Sequence, residues 1–429
     1  MSADSFLPGL YRGAMYCAQP LAGPFLRWRQ WRGKEDAARL GERKGIASLP
    51  RPHGPLIWMH GASIGEALAI LPLSAALRGR GFQVLFTTGT VTSASLMRQR
   101  LPGGVIHQYL PLDMPQYWRR FLAHWRPAII LIAESELWPN MLAEAKIAGI
   151  PAVVVNGRMS DRSSRRWLKL PSAAKAIFGT LALCLAQSKG DAERYAQLGA
   201  ARVEVAGNLK YDAAAPPVDN EEFARLSAVI GARPVWLAAS THEGEDDIAI
   251  RVHDDLLERW PDLTTIILPR HPHRGPQIAA LAERYGYRVS LRSRGDKMLE
   301  SGGLYIADTI GETGLFYRLS GIAFIGRSLA TGGGQNPIEP AKLGAAILHG
   351  PDVGNFSEVY QALHAGGAAL EVEDDEDLSR TLAALLGDGA KIRALTQAAH
   401  QTVDRIGGAT GRIISALEPY LARAQQEDR

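Results

Sequence analysis

The segment GASIGE, residues 61–66, carries two side chains that could do chemistry. Ser63 fits the G-x-S-x-G pattern of a hydrolase nucleophile, which would attack an ester while a later carboxylate and histidine complete a triad. Glu66 could instead act as a general base that takes the proton of an attacking hydroxyl. Ser63 and Glu66 also match the S-x-x-E capping box of a helix start, so a structural and a catalytic interpretation stay open for each residue.

Charged side chains follow two further apolar runs. Glu134 directly continues the run 129–133, Glu136 stands two residues later, and Lys210 lies in GNLKYD, just before a proline-rich stretch. A charge at the carboxyl end of a central parallel strand lies at the ligand-binding edge of its sheet. We therefore interpret the two carboxylates as site residues, with a solvated loop as the alternative. A lysine at such an edge can neutralise a phosphate or a carboxylate, or simply lie on the surface.

Four loops in the second half of the chain suit a nucleotide. They contain glycines, helix-start residues and an arginine, which favour a phosphate, and Glu339 could bind ribose hydroxyls. Two sets of residues could be drawn as metal ligands, His271 with His273 or His242 with Glu243 and Glu245, but neither spacing is diagnostic of a metal site. No Walker sequence or G-x-G-x-x-G fingerprint accompanies these loops, which are residues 239–246, 268–274, 308–314 and 331–340.

The elements that must position these groups alternate between apolar strands and helices. This alternation indicates parallel sheets covered on both faces, which is the doubly wound α/β class. A chain of 429 residues is long enough for two such domains, and DAAAPPVDN, residues 212–220, is the best linker candidate. The predicted strands are 55–60, 83–88, 105–110, 128–133, 152–156, 181–187 and 203–206 before the linker, and 235–240, 264–268, 287–291, 304–307, 322–325 and 345–349 after it.

Composition narrows the class of partner. The net charge of +4 makes the chain mildly basic, and the sequence contains no long block of cations. Both features favour anionic small molecules or an anionic membrane surface over nucleic acid as a partner. Two cysteines give neither a disulfide framework nor a zinc pattern, which fits a reducing compartment. Residues 13–26 carry no charge, and arginines and tryptophans follow them up to Lys34. This stretch could lie in a membrane interface, or it could form a short helix that packs on the first domain.

Seven motifs, in order along nearly the whole chain, resemble those of the bacterial lipid A 3-deoxy-D-manno-octulosonic acid (Kdo) transferases: GASIGE, AESELWPN, GNLKYD, STHEGE, PRHP, IGETG and GGGQNPIE. The resemblance implies the GT-B glycosyltransferase fold, in which two doubly wound, Rossmann-like domains face a central cleft. It also implies an inverting transfer of Kdo from CMP-Kdo to a glucosamine hydroxyl of a lipid A precursor of the lipid IVA type. No metal or other cofactor and no nucleic acid partner are expected.

Matching the motifs residue by residue implies individual roles. Glu66 would be the general base on the acceptor hydroxyl, and Glu134 and Lys210 would stabilise the transition state. Gln335 departs from the family pattern, because many relatives have a histidine there, although glutamine can keep a hydrogen bond. The positions that would hold CMP are Pro269, Arg270, Ile310, Gly311, Glu312, Asn336, Pro337, Ile338 and Glu339.

The resemblance also implies how the chain is divided. Residues 1–35 would form a membrane-interface segment, 36–212 an acceptor domain, 213–220 the linker and 221–429 a CMP-sugar domain, whose last helix is able to pack back on the acceptor domain. The enzyme would work at the cytoplasmic face of the bacterial inner membrane, on an anionic surface. Two alternatives stay open from the residues themselves: a serine hydrolase that uses Ser63, and a non-catalytic peripheral membrane protein that binds a nucleotide or lipid.

Overall fold

The computed structural model describes residues 6–427, which form two compact units. The first unit runs to Ala213 and resumes at Gly407, and the second unit is Ala214–Ile406. The chain therefore leaves the first unit inside the segment 213–220, where the sequence places a linker. Residues 1–5 of the expected membrane-interface segment and residues 428–429 of the expected last domain lie outside the described part.

The first unit is built on a parallel sheet of seven strands. These are β1 (Leu56–His60), β2 (Gln83–Thr88), β3 (Ile106–Tyr109), β4 (Ile129–Ala133), β5 (Ala152–Gly157), β6 (Leu183–Ala186) and β7 (Val203–Val205). Their order across the sheet is β3-β2-β1-β4-β5-β6-β7. Every residue of β1 and β4 is buried, as expected for central parallel strands that are covered on both faces.

Helices cover both faces of this sheet. They are α1 (Phe6–Ala18), α2 (Ala22–Trp31), α3 (Ile64–Gly79), α4 (Val91–Arg100), α5 (Pro115–Trp125), α6 (Pro139–Ile147), α7 (Asp161–Leu168), α8 (Pro171–Phe178), α9 (Lys189–Gln197) and α18 (Ala409–Glu427). One face packs Trp58 against Trp118 and Phe121 of α5. The other face is covered by α3 together with Leu417 and Leu421 of α18. The last helix thus packs back on the first unit, as the sequence analysis allows for it, and residues 407–427 belong to that unit rather than to the range given for the second domain.

The second unit contains another parallel sheet of seven strands. These are β8 (Val235–Thr241), β9 (Thr264–Pro269), β10 (Val289–Leu291), β11 (Gly303–Ile306), β12 (Ile322–Ile325), β13 (Ala346–His349) and β14 (Ala369–Glu371), in the order β10-β11-β9-β8-β12-β13-β14. The helices are α10 (Asn220–Ile230), α11 (Glu245–Leu257), α12 (Gly275–Arg284), α13 (Thr313–Ser320), α14 (Ile338–Lys342), α15 (Ser357–Ala365), α16 (Asp375–Leu386) and α17 (Gly389–Ile406). All thirteen predicted strands are present, with ends that agree within two residues. The strand prediction leaves out β14, which is as short as β7 and β10.

The N-terminal helices use one side to pack on the first unit and expose the other. Ala22 and Leu26 are buried, the Tyr11 hydroxyl donates to Asp113 at 3.0 Å, and Arg12 forms an ion pair with Glu144 of α6. On the exposed side lie Leu10, Leu21, Phe25, Trp28 and Trp31. Between residues 6 and 427, no helix combines the length and the apolar character that crossing a membrane requires.

Candidate active site

The order of the first sheet creates one position where the chain reverses its direction of winding. From β1 the chain moves outward through β2 and β3, and it then returns to β4 on the other side of β1. In open α/β sheets ligands bind at the carboxyl ends of the strands beside such a switch point. The loop 61–63 follows β1 and Glu134 follows β4, so the two sequence motifs flank this switch point.

Gly61 sets the close path from β1 into α3. A Cβ atom on Gly61 would lie 2.8 Å from the backbone nitrogen of Ala67, so only glycine permits this approach of strand end and helix. The helix begins at Ile64, with Ser63 as its N-cap. The Ser63 hydroxyl oxygen accepts the backbone N–H of Glu66 at 3.3 Å, which confirms the predicted helix start.

The carboxylate of Glu66 is held in place by two donors. Its Oε1 accepts the Ser63 hydroxyl at 2.7 Å, and its Oε2 accepts the backbone N–H of Ala62 at 3.0 Å. The side chain is half-buried at the start of α3. In the described part of the chain, the side-chain hydrogen bonds of Ser63 all involve Glu66, so no histidine is in place to activate Ser63 as a nucleophile.

Glu134 leaves β4 with a backbone conformation that is unusual for its type. Its φ is +53°, in the left-handed region that costs a residue with a Cβ roughly 1 kcal/mol or more. Two hydrogen bonds fix this turn, because Glu134 N–H donates to the Val155 carbonyl at 3.1 Å and the Tyr195 hydroxyl donates to the Glu134 carbonyl at 2.8 Å. Glu134 Oε1 then lies 3.2 Å from Lys210 Nζ. Strain of this kind is typical of functional positions.

Lys210 is placed by a second set of side-chain contacts. The Asn208 side chain accepts the Lys210 N–H at 3.0 Å, and Asn156 Oδ1 accepts the Leu209 N–H at 2.9 Å. Asn156 itself has a positive φ of 52° at the end of β5. The short turn that carries Lys210 is therefore tied to the carboxyl edge of the sheet, which brings the lysine to Glu134.

Glu136 completes a small charged set with these residues. Burial, followed by the negative charges of Glu66 and Glu134, raises the pKa of the Glu136 carboxyl. Three carboxylates and one lysine thus share the region beside the first switch point, and we call Glu66, Glu134, Glu136 and Lys210 the carboxylate–lysine group. The sequence singles out all four residues, but it gives no role to Glu136.

The second sheet has its own switch point, between β8 and β12. Ser240 near the end of β8 and Arg327 after β12 both have positive φ angles, 56° and 60°. The buried carboxylate of Glu245 joins the two loops, because it accepts backbone N–H groups of His242 (2.9 Å), Arg327 (2.6 Å), Ser328 (2.9 Å) and Leu329 (3.2 Å). Glu245 is therefore a structural anchor of this edge, a role that its position in STHEGE does not reveal.

Several of the expected CMP-binding residues lie together at this edge. Pro269 ends β9, and the Arg270 N–H donates to the Thr241 carbonyl at 3.0 Å. Asn336 accepts the Ile338 N–H at 3.0 Å, and its amide donates to Glu339 at 3.2 Å, in the turn where Pro337 precedes α14. Burial raises the pKa of the Glu339 carboxyl, while the Asn336 hydrogen bond and the charge of Arg270 act in the opposite direction.

The motif Ile310-Gly311-Glu312 has a different environment. Ile310 is 88% exposed, and Gly311 has a φ of +91°, which favours glycine. Glu312 forms an ion pair with Arg292, whose Nε lies 2.8 Å from Glu312 Oε2, and the hydrogen bond from Arg292 lowers the pKa of the Glu312 carboxyl. Arg292 also pairs with Glu222 of α10 at 2.6 Å. The sequence does not reveal Arg292 or Glu222, because both lie outside the recognised motifs.

The histidines considered as metal ligands do not form a metal cluster. His271 stacks on His273, and His242 packs edge-on against His271, with ring centroids 5.7 and 6.0 Å apart. Within residues 6–427, the one group with three potential ligand atoms close together is His349, His364 and Glu371, at the β13–β14 side of the second unit. There the Nε2 atoms of the two histidines lie 2.9 Å apart.

Solved structures share this architecture of two doubly wound domains. A glycosyltransferase from Rickettsia africae ESF-5 matches with a TM-score of 0.56 at 12% identity, over 86% of this chain and 98% of that chain. A UDP-GlcNAc 2-epimerase from Neisseria meningitidis matches with a TM-score of 0.57 at 13% identity, over 85% of this chain and 100% of that chain. The protein has the fold of the GT-B glycosyltransferase class.

Sequence comparison gives the family. Residues 38–213 match the family model described as 3-deoxy-D-manno-octulosonic-acid transferase (kdotransferase). The 3-deoxy-D-manno-octulosonic acid transferase of Haemophilus influenzae is 33% identical over 426 residues, which cover 96% of this chain and 98% of that protein. The enzyme of the same name from Bordetella pertussis is 35% identical over 395 residues, 90% of this chain and 91% of that protein. The chain belongs to the 3-deoxy-D-manno-octulosonic acid transferase family, and it is a glycosyltransferase.

Proposed function

We propose that the protein transfers Kdo from CMP-Kdo to a glucosamine hydroxyl of a lipid A precursor of the lipid IVA type, with inversion, in lipopolysaccharide biosynthesis. The observation that carries this proposal is the position of Glu66. Its half-buried carboxylate is fixed by Ser63 and Ala62 at the switch point of the first sheet, beside the Glu134–Lys210 pair. A carboxylate held in this way can take a proton without first reorganising.

Glu66 supports the step in which the new glycosidic bond forms. The acceptor hydroxyl oxygen attacks the anomeric carbon of Kdo, the bond from that carbon to the CMP phosphate breaks, and the phosphate leaves with the electron pair. Glu66 takes the hydroxyl proton as the bond forms, and a positioned base typically contributes about 10²–10⁴-fold to the rate. Because no protein group forms a covalent intermediate in this displacement, the configuration at the anomeric carbon inverts.

Lys210 supplies positive charge for the same step. The donor carries one phosphate and one sugar carboxylate, and an ammonium group can bind either of them as a point charge. The contact with Glu134 at 3.2 Å fixes the position of the ammonium group. The lysine side chain is still 44% exposed, so the ammonium group remains accessible to the donor. Glu134 therefore orients Lys210 and shares in the stabilisation of the transition state.

Residues of the second unit are proposed to hold CMP. Arg270 supplies a cation for the phosphate, Glu339 can accept hydrogen bonds from ribose hydroxyls, and Asn336 fixes Glu339 through its amide. The motif 310–312 is expected to contact the nucleotide as well. With a single phosphate on the donor, we propose that these side chains stabilise the leaving group and that the reaction requires no metal or other cofactor.

The N-terminal helices are proposed to hold the enzyme on the cytoplasmic face of the inner membrane, where the acceptor lies. Exposed Phe25, Trp28 and Trp31 alternate with arginines, and Arg32 lies over the Trp28 ring at 4.4 Å. Tryptophan and arginine at a surface are typical of a membrane interface with anionic lipids. Replacing Phe25, Trp28 and Trp31 by glutamine should move the protein from the membrane to the soluble fraction. Unchanged membrane association would show that another surface anchors it.

The experiment that tests the function is mass spectrometry of lipid IVA incubated with purified protein and CMP-Kdo. The expected product is heavier than the acceptor by one or more Kdo residues, and the number of additions gives the stoichiometry. An acceptor that is unchanged with CMP-Kdo, but gains Kdo when another activated form is supplied, would contradict the proposed donor. A Kdo product on a different acceptor would contradict the proposed lipid.

A further inference from the structure

A groove runs along the amino-terminal edge of the first sheet, at the opposite end of the strands from the carboxylate–lysine group. One cavity of about 720 Å³ and a second of about 270 Å³ form it, and the two share the residues Ala128, Gly149, Ile150, Arg423 and Ala424. The walls come from the starts of β1, β4 and β5 and from α5, α6 and α18. We call this feature the amino-edge groove. The two cavities adjoin each other, and the larger one has the size of known small-molecule sites.

The floor of the amino-edge groove is apolar. Leu56, Leu122 and Ala424 are buried beneath it, and Ile150 lines both cavities. Ile147, at the end of α6, also lines the groove and is 71% exposed. Covering this exposed isoleucine with an aliphatic chain would remove apolar surface from water and so lower the free energy.

The lining of the larger cavity also carries a strong excess of positive charge. Four arginines contribute to it: Arg51, Arg119, Arg126 and Arg423. Arg51 is fixed in position, because it donates to the carbonyls of Trp125 at 2.9 Å and Gly54 at 3.1 Å. The one carboxylate in this lining, Glu144, is already neutralised by Arg12 and by Arg119, whose Nε lies 3.0 Å away. Guanidinium groups bind phosphate through charge-assisted hydrogen bonds, so a lining with several arginines suits a phosphate group.

We propose that the amino-edge groove binds one anionic phospholipid, with an acyl chain along the apolar floor and the headgroup phosphate among the arginines. A soluble anion would use the arginines and leave the floor uncovered, and a neutral lipid would bring no net negative charge to the arginines. The neighbouring helix α1 fits this ligand, because Arg12 pairs with Glu144 and Tyr16 lies beneath Arg119 at 5.9 Å. The groove is thus beside the N-terminal helices whose apolar side chains are exposed. This site goes beyond the proposed glycosyl transfer, and its test does not depend on that activity.

The test is native mass spectrometry of the full-length protein in a nonionic detergent with added phosphatidylglycerol. Phosphatidylcholine of the same chain length and sn-glycerol 3-phosphate serve as the neutral-lipid and headgroup-only probes. We expect one retained phosphatidylglycerol per protein, at least tenfold weaker retention of phosphatidylcholine and no retention of glycerol phosphate. Equal retention of the two lipids, or binding of glycerol phosphate at the same strength, would overturn the proposal.

Two variants place the lipid in the groove. Ala123→Trp fills the cavity from an exposed helix position and should abolish the single retained lipid. Arg126→Asn removes one charge and should weaken retention about fivefold, the effect of one arginine near an anionic lipid. Arg126 has a φ of +44°, which asparagine tolerates, so this variant keeps the helix end intact.

Arg288→Asn, at an exposed position in the second unit, is the matched control and should leave retention unchanged. Each variant is compared with the wild type by its thermal midpoint, which shows whether it is folded. Retention that is unchanged in folded Ala123→Trp, or lowered as much by Arg288→Asn as by Arg126→Asn, would show that the lipid binds elsewhere.

Discussion

Lys210 Nζ lies 3.2 Å from Glu134 Oε1, although the two residues stand 76 positions apart in the chain. Glu134 reaches this position through a strained backbone at the end of β4, and Lys210 through a short turn that Asn156 and Asn208 fix. Both constraints lie at the switch point of the first sheet, where Glu66 also lies. Because two independently fixed backbone segments carry the two charges, this ion pair has a defined geometry, which solvent-exposed ion pairs normally lack.

Lys210→Met tests the electrostatic role of this pair. Removing one preorganised charge from a transition-state site costs about 10²–10³-fold in kcat, so we expect a loss of this size. The thermal midpoint should hardly change, because a partly exposed ion pair contributes roughly 0–1 kcal/mol. Steady-state kinetics with CMP-Kdo measure the first effect and thermal unfolding the second. Lys391→Met, at an exposed position on α17, is the control and should retain full activity. Wild-type turnover in Lys210→Met would remove the lysine from the mechanism.

Ser63→Ala separates the helix cap from a nucleophile. Loss of an N-cap hydroxyl lowers stability by about 1 kcal/mol, and it also removes one of the two donors to Glu66. We expect measurable transfer to remain, with a lower kcat. Ser160→Ala removes the N-cap of α7, whose hydroxyl oxygen accepts the Ser163 N–H at 3.2 Å. This control should lose similar stability without losing activity. Complete inactivity of folded Ser63→Ala, together with labelling of wild-type Ser63 by a fluorophosphonate, would favour the hydrolase interpretation.

Glu245→Gln tests the anchor of the second switch point. Each carboxylate oxygen of Glu245 accepts two backbone N–H groups. In either orientation, the NH₂ group of a glutamine side chain would therefore face two N–H donors and could accept neither. We expect a loss of roughly 1.5–3 kcal/mol in stability and weaker binding of CMP, because loop 326–329 loses its fixed position. Differential scanning calorimetry and titration with CMP provide the two measurements. Glu243→Gln is the adjacent control, and a Glu245→Gln protein as stable as this control would show that the four contacts contribute little.

His60 gives the protein a predictable dependence on pH. Burial lowers the pKa of His60 to about 4, and the unfolded chain has the ordinary value near 6.5. Below pH 6.5 the unfolded state therefore binds a proton at His60 that the folded state does not bind. The free energy of unfolding falls as the pH drops towards 4. Between pH 7 and pH 5 this one group should cost roughly 1–2 kcal/mol.

Thermal unfolding at pH 7 and pH 5 measures this dependence. Asn can replace the contact of His60 Nδ1 with the Thr87 carbonyl, which is 3.1 Å long, so we expect His60→Asn to show a smaller difference between the two pH values. His253, whose pKa burial also lowers to about 4, leaves part of the dependence in place. An unchanged difference in His60→Asn would mean that His60 takes up a proton in the folded state.

The sequence predicts most of the fold for a simple physical reason. Central parallel strands such as β1 and β4 are buried on both faces, so they appear as short continuous apolar runs. Thirteen of the fourteen strands in the described residues are predicted. The strand that is not predicted is β14, at the edge of the second sheet. Capping residues and strand ends likewise place Glu66 and Glu134 at one sheet edge, since the carboxyl ends of parallel strands share that edge.

Contacts between distant segments are harder to predict from the sequence. Arg292 binds Glu312 and Glu222 because three separate elements meet there, and nothing in the local pattern of any one of them indicates it. The same applies to Glu245. From the sequence its charged side chain would be expected at the surface, but in the structure it is buried and accepts four backbone N–H groups. The return of α18 to the first unit is also a tertiary event. The family resemblance allows for this packing, but no local pattern of the helix itself indicates on which sheet it packs.

Glu66 is the centre of the proposed mechanism, and Glu66→Gln is its most direct test. Glutamine keeps the size of the side chain and can still accept the Ala62 N–H, but it cannot take a proton from the acceptor hydroxyl. The measurement is the rate at which purified variant and wild type add Kdo to lipid IVA from CMP-Kdo, followed by mass spectrometry. We expect the rate to fall by about 10²–10⁴-fold while CMP binding and the thermal midpoint stay near the wild-type values. A Glu66→Gln enzyme that transfers Kdo at a rate near that of the wild type would contradict the assignment of Glu66 as the base.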